Sequence, residues 1–80
     1  MKTVFVVTRT INGKTWVYVA NTRGNAIKIA VNSFMMSWYH DYKEWNDVEF
    51  TTEDIFTNYC ELFNDEETIE ISEEKIYTGE

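Results

Sequence analysis

The chain has 80 residues, a length that suits one small domain burying only about 60% of its unfolded surface. Hydrophobic residues make up 44% of it and aromatic residues 16%, so we expect a few large rings to supply much of the core. The formal net charge is −7, no apolar run approaches the roughly 20 residues of a membrane span, and a single cysteine, Cys60, excludes an internal disulfide. We therefore expect one cytoplasmic domain with no membrane contact.

Charge is divided unequally between the two halves of the chain. Residues 1–40 contain five Lys or Arg and no acid, whereas residues 41–80 contain all fourteen acids and two lysines. The resulting balances, +5 and −12, form an asymmetry that is typical of proteins with charged partners. The two halves can also neutralise each other within one fold, but five cations leave most of the acids unpaired.

The first predicted element is a β-hairpin. Thr3 to Thr10 reads as a strand, Asn12-Gly13 is a strong signal for a two-residue turn, and Lys14 to Ala20 is the return strand. The turn sets a register with one β-branched face and one aromatic face rimmed by cations. The aromatic face carries Phe5, Val7, Arg9, Lys14, Trp16 and Tyr18. We expect the β-branched face to pack under a helix. Another part of the chain, or a partner, would then cover the aromatic face.

A long amphipathic helix follows, from Thr22 to Trp45, with Thr22 or Asn21 as its cap. Its apolar stripe is Ile27, Ala30, Val31, Phe34, Trp38, Tyr42 and Trp45. At about 1.5 Å per residue the helix is roughly 36 Å long, so it either projects from the body or breaks between Ser37 and Asp47. A second face, with Met35, Met36, Tyr39, His40 and Lys43, is less polar than a solvated face. We expect the second helix to cover it, or else another copy of the chain.

The C-terminal half contains a shorter helix and strand sequence. Thr51 precedes two acids that suit a first helical turn. The apolar stripe of this helix is Ile55, Phe56, Tyr59, Leu62 and Phe63. Thr68 to Ser72 alternates like a half-exposed strand, and Lys75 to Tyr77 can add one more. The sequence predicts a two-layer α+β fold: a β-hairpin, a long helix, a shorter helix and one or two C-terminal strands (β-β-α-α-β, with an optional last β).

The residue types that carry catalysis or metal binding form no motif. Cys60 lies in the acidic half, where a reactive thiolate is disfavoured, so we expect a small apolar filler. His40 and Glu44 share a helix face, but the chain has no second His to complete a zinc site. The three glycines are isolated, which excludes a phosphate-binding loop. We expect a protein that is not an enzyme and that holds no metal or cofactor.

Twelve of the acids form two dense groups, which predict a binding surface. The first, within residues 65–74, is Asp65, Glu66, Glu67, Glu70, Glu73 and Glu74, and the second, within residues 41–54, is Asp41, Glu44, Asp47, Glu49, Glu53 and Asp54. Carboxylates roughly 6–7 Å apart would imitate the phosphates of one nucleic-acid strand. We therefore predict an inhibitor that binds a partner protein and occludes its basic nucleic-acid-binding groove.

In size and acidity the chain resembles the small inhibitors encoded by phages and mobile elements, such as anti-restriction and anti-CRISPR proteins. This resemblance implies a protein partner and no direct contact with nucleic acid. A Glu-rich surface also has a commoner role in solubility. Two alternatives stay open: a nucleic-acid or peptide-binding module that uses the aromatic hairpin face, and a homodimer or larger homo-oligomer.

Overall fold

The computed structural model describes residues 2–77. Its elements are β1 (Lys2–Ile11), β2 (Lys14–Ala20), α1 (Arg23–Ala30), a π-helical turn (Val31–Met35), α2 (Met36–Asn46), α3 (Thr52–Leu62) and β3 (Glu67–Ile76). The strands form one antiparallel sheet in the order β2-β1-β3, and the helices cover one of its faces. The predicted α+β order is confirmed, with one strand after α3 in the described range.

The hairpin forms as the sequence predicts. Asn12 and Gly13 both have positive φ, 52° and 78°, which is the geometry of a type I′ turn. The register runs from Ile11 opposite Lys14 to Phe5 opposite Ala20 without a slip. Because side chains alternate along a strand, the aromatic residues of the hairpin share one face as predicted.

The aromatic face of the hairpin, and not the β-branched face, lies under the helices. Val7 is fully buried there, and Tyr18 packs edge-on against Phe34 with ring centroids 5.6 Å apart. Our expectation was wrong because β1 is the middle strand of the sheet. On its far side β3 adds Ile69 and Ile71 to the middle of the aromatic face, where both pack against the core, with Glu67, Glu73 and Lys75 on either side of them. To the β-branched face it adds Thr68, Glu70, Ser72, Glu74 and Ile76. The complete sheet therefore has its more apolar face on the aromatic side.

The long helix is continuous over residues 23–46 and contains a π turn at its middle. The amide of Met36 donates to the carbonyl of Val31, five residues earlier. A turn of this width keeps residues four apart on one side of the helix. Four buried positions, Ile27, Val31, Met35 and Tyr39, accordingly recur every four residues, and Ala26 and Ala30 are buried beside them. Met35 and Tyr39, which the sequence placed on a second face, are therefore part of the core.

The helix does not break between Ser37 and Asp47. It ends where Asp47 takes a left-handed conformation, with φ of 50°. The described chain is elongated as a result, with extents of 52 × 28 × 16 Å, and Trp45 at the far end is 86% exposed. Trp45 therefore lies outside the core, contrary to the predicted stripe. No helix in this range is both long and apolar enough to cross a membrane.

Both helix starts are capped as predicted. The hydroxyl oxygens of Thr22 and Thr51 each accept a hydrogen bond, at 3.1 Å, from the amide three residues later. On α3, Ile55 and Tyr59 are buried, but Leu62 is exposed and does not belong to the apolar stripe. These caps fix where each helix begins, and α3 begins one residue after Thr51.

Candidate protein-binding surface

Five acids of the 65–74 group lie on an outer strand and on the turn before it. We call them the acidic edge: Asp65, Glu66, Glu70, Glu73 and Glu74, all exposed. β3 is an outer strand because it pairs only with β1. In the part of the chain that the structure describes, no Lys or Arg nitrogen lies within 4.0 Å of these carboxylates. The acidic edge therefore carries five charges without a close counter-charge.

β3 and the turn before it distribute these carboxylates along one edge of the sheet. Glu70 and Glu74 lie on the helix-free face, and Glu73 lies on the helix-covered face opposite Phe5. At about 3.3 Å per residue, positions 66–74 span roughly 26 Å. This row of negative charge has the length of a short run of phosphates on one nucleic-acid strand. It could therefore contact several cations of a basic groove at once.

Glu67 belongs to the same run of acids but not to the surface, which corrects the sequence prediction. Its Oε1 and Oε2 accept hydrogen bonds from Nε and Nη2 of Arg9, each 3.0 Å long. The Glu67 side chain is only 5% exposed and that of Arg9 19%. A carboxylate at this depth needs a cationic partner, so the role of Glu67 is structural. Sequence reasoning missed the pair because its members are 58 positions apart.

The aromatic hairpin face is occupied from within the chain. The guanidinium carbon of Arg9 lies 4.6 Å from the ring centroid of Phe34 and 5.5 Å from that of Trp16. The hydrogen bonds to Glu67 raise the pKa of Arg9, which keeps this cation charged. Of the other residues of the face, Phe5 is half-buried, while Lys14, Trp16 and Tyr18 are exposed on the outer strand β2. A nucleic-acid base stacked on this face would therefore meet an arginine, Arg9, that is already paired with Glu67.

The 41–54 acids form a separate surface. All six are exposed, on α2, on the link after it and on the first turn of α3: Asp41, Glu44, Asp47, Glu49, Glu53 and Asp54. Two have cationic neighbours, since Glu49 lies 3.8 Å from Lys43 and Glu53 lies 3.5 Å from Arg23. Such exposed pairs contribute little to stability. α2 has no extensive contact with β3, so the structure does not join the two groups of acids.

An open groove of about 650 Å³ lies between α2 and the link that follows it. Its lining residues are Met36, Tyr39, His40, Lys43, Glu44, Asp47, Val48 and Glu49. The link is held in place because the Tyr39 hydroxyl accepts a 2.9 Å hydrogen bond from the Phe50 amide and the two rings stack. Our sequence prediction did not include this groove. The low polarity of the second helix face, which includes Met36, Tyr39 and His40, could have indicated it.

Nowhere in residues 2–77 do three His, Cys, Asp or Glu side chains come together to hold a metal ion. His40 is exposed on α2. Burial, with a smaller effect from the Glu67 carboxylate, raises the pKa of the Cys60 thiol. The thiolate is disfavoured, as the filler role requires.

Comparison of the chain with protein-family models, with curated proteins and with solved structures finds no match. We therefore infer the function from the surface itself. Within residues 2–77 the acidic edge, on β3 and the turn before it, has five carboxylates without a close cation, against four in the 41–54 group, and it is the candidate site.

Proposed function

We propose that the protein is a small, non-enzymatic inhibitor that binds a partner protein through the acidic edge and occludes a basic nucleic-acid-binding groove. The observation that supports this proposal is that neighbouring acids differ in exposure and in pairing with a cation. Glu67 turns inward to Arg9, whereas the five acids around it stay exposed with no close cation in the described chain. Their charge is thus available to a partner.

The position on a strand favours binding to another protein. Strand backbone fixed by pairing with β1 holds Glu70, Glu73 and Glu74 in a set order, so little backbone entropy is lost there on binding. A row of charge also accelerates association with a groove of opposite sign and rejects partners of like sign. Each exposed carboxylate contributes little alone, and the group acts together.

The specific form of this proposal is an anti-CRISPR or anti-restriction protein of a phage or mobile element, which acts in the cytoplasm. Its basis is the small size and net charge of −7. The alternative, a module that binds nucleic acid or peptide on the aromatic hairpin face, has less support. Arg9 is already bonded to Glu67 there, and the whole chain repels phosphate.

Affinity capture with competitive elution tests the proposal. The immobilised protein is exposed to a cytosolic extract at low salt, the column is washed with a short duplex oligonucleotide, and eluted proteins are identified by mass spectrometry. We expect the duplex to release a nucleic-acid-binding protein, because duplex and inhibitor compete for one groove. Retention of nucleic acid itself on the column, or no protein released by the duplex, would contradict the proposal.

A further inference from the structure

The outer strand β2, on the opposite side of the sheet from the acidic edge, is unprotected. Six of its seven residues are exposed, and Val17 and Val19 have 59% and 57% of their surface accessible. β3 carries four glutamates and a lysine, but β2 has no charge after Lys14. Charges, prolines and bulges are the usual means of preventing a strand edge from pairing, and β2 beyond Lys14 has none of them.

The hairpin turn decides which backbone groups of β2 face outward. In a two-residue turn the flanking residues, here Ile11 and Lys14, form the hydrogen-bonded pair that closes the loop. Hydrogen-bonded and non-hydrogen-bonded pairs then alternate along the antiparallel ladder. The even-numbered residues of β2 therefore direct N–H and C=O toward β1. The residues whose backbone groups face the open edge are Thr15, Val17 and Val19.

We propose that this edge pairs with β2 of a second copy of the chain, antiparallel, about a two-fold axis at Val17. Val17 then exchanges two backbone hydrogen bonds with Val17 of the second copy, and Thr15 pairs with Val19. Trp16 lies opposite Tyr18 of the second copy in a non-hydrogen-bonded pair, where side chains approach most closely. Aromatic cross-strand pairs are among those that stabilise a sheet. The edge is thus complementary to itself.

The distribution of charge favours a second copy of this chain as the occupant. The six strands lie in the order β3-β1-β2-β2-β1-β3, so the two acidic edges stand at opposite ends. Lys14 lies opposite Ala20 of the second copy and not opposite another cation. A groove of about 360 Å³ beside Ala20, lined in part by Asn25 and Asn32, leaves room for that side chain. Lys28 at the same groove is a like charge, but it is exposed and can turn to solvent.

Sedimentation equilibrium tests the pairing with three variants. We expect the wild-type protein to reach twice the 9.5 kDa of one chain as its concentration rises. Val17→Lys and Val17→Glu each place like charges together at the axis, so each alone should stay monomeric. An equal mixture of the two should restore the dimer, because Lys then faces Glu. Ser72→Lys, an exposed change on the same sheet face but on β3, is the control and should dimerise like the wild type.

Amide hydrogen exchange of the wild type supplies a test that needs no variant. The amides of Thr15, Val17 and Val19 should exchange slowly at high concentration and faster on dilution, while those of Trp16 and Tyr18 stay protected at both. A wild-type chain that is monomeric up to about 1 mM overturns the proposal. So does a dimer that survives Val17→Lys in a variant shown to be folded by circular dichroism. The Val17 changes lie on β2 and leave the acidic edge intact, so the proposed function can fail or hold independently.

Discussion

Arg9 and Glu67 are joined by two hydrogen bonds beneath the helix layer, and removal of either one leaves a charge without its partner. We predict that Glu67→Ala lowers the free energy of unfolding by about 2–4 kcal/mol. The double variant Arg9→Met, Glu67→Leu should lose less than Glu67→Ala, since it buries no unpaired charge. Urea unfolding of the three proteins measures this. A double variant that is less stable than the single one would contradict the structural role of the pair.

Trp38 and Trp45 lie on the same helix in very different surroundings. Trp38 is half-buried, with its ring centroid 5.5 Å from that of Tyr59 and 6.2 Å from that of Phe63, whereas Trp45 is exposed. We predict that Trp38→Ala destabilises the fold by about 3 kcal/mol and that Trp45→Ala changes its stability by less than about 0.5 kcal/mol. Thermal unfolding compares them. Equal losses of stability in the two variants would contradict the burial of the Trp38 side of the helix and the exposure of Trp45.

Two neighbouring groups on α3 predict alkaline sensitivity. Burial raises the pKa of Tyr59 and of Cys60, and the Glu67 carboxylate raises both further. A raised pKa in the folded state contributes stability below the unfolded pKa and loses it as pH rises through the folded one. The free energy of unfolding should therefore fall above about pH 8.5 for Cys60 and above about pH 10 for Tyr59. Urea unfolding of Cys60→Ala should lack the first decline and that of Tyr59→Phe the second. A wild-type stability constant to pH 11 would exclude both.

At the scale of elements, the sequence predicted what local residues determine. Asn12-Gly13 encodes its own turn, and Thr22 and Thr51 cap helices with bonds that reach only three residues. Local residues do not determine which face of the hairpin is buried, because that depends on β3, which pairs with β1 from more than fifty residues away. The π turn likewise moved Met35 into the core in a manner that regular helical spacing cannot anticipate.

Two glycines at element ends predict opposite effects of the same substitution. Gly13 has φ of 78°, which L-residues adopt with strain, although an added Cβ would meet no atom within 4 Å. Gly24 lies in the first turn of α1, where a Cβ would only touch the Thr22 hydroxyl oxygen at 4.0 Å. We predict that Gly13→Ala destabilises the protein by about 1 kcal/mol and that Gly24→Ala stabilises it by about 0.5–1 kcal/mol. Urea unfolding measures both effects. Shifts of the unfolding midpoint in the same direction for the two variants would contradict this prediction.

At the scale of the whole molecule, the sheet separates two surfaces. The acidic edge lies on one side, and the uncharged β2 edge lies on the other. The sequence identified the 65–74 acids as a candidate surface but could not distinguish Glu67 from its neighbours, because its exposure depends on a distant arginine. It also treated the 41–54 acids as part of the same surface, whereas α2 and β3 place the two groups apart.

Charge reversal at the acidic edge tests whether these carboxylates bind the partner. The variant Glu66→Lys, Glu70→Lys, Glu73→Lys, Glu74→Lys is compared with a control that reverses four acids elsewhere, Asp41→Lys, Glu44→Lys, Asp47→Lys, Asp54→Lys. Both change the net charge by the same amount and leave Glu67 in place.

The measurement is calorimetric titration, at physiological salt, of the partner protein released by duplex in the capture experiment, with circular dichroism to confirm folding. We predict that reversal at the acidic edge weakens binding by at least about 100-fold, while the control weakens it by less than about ten-fold. Equal losses in both variants, or full binding by the acidic-edge variant, would contradict a binding role for the acidic edge.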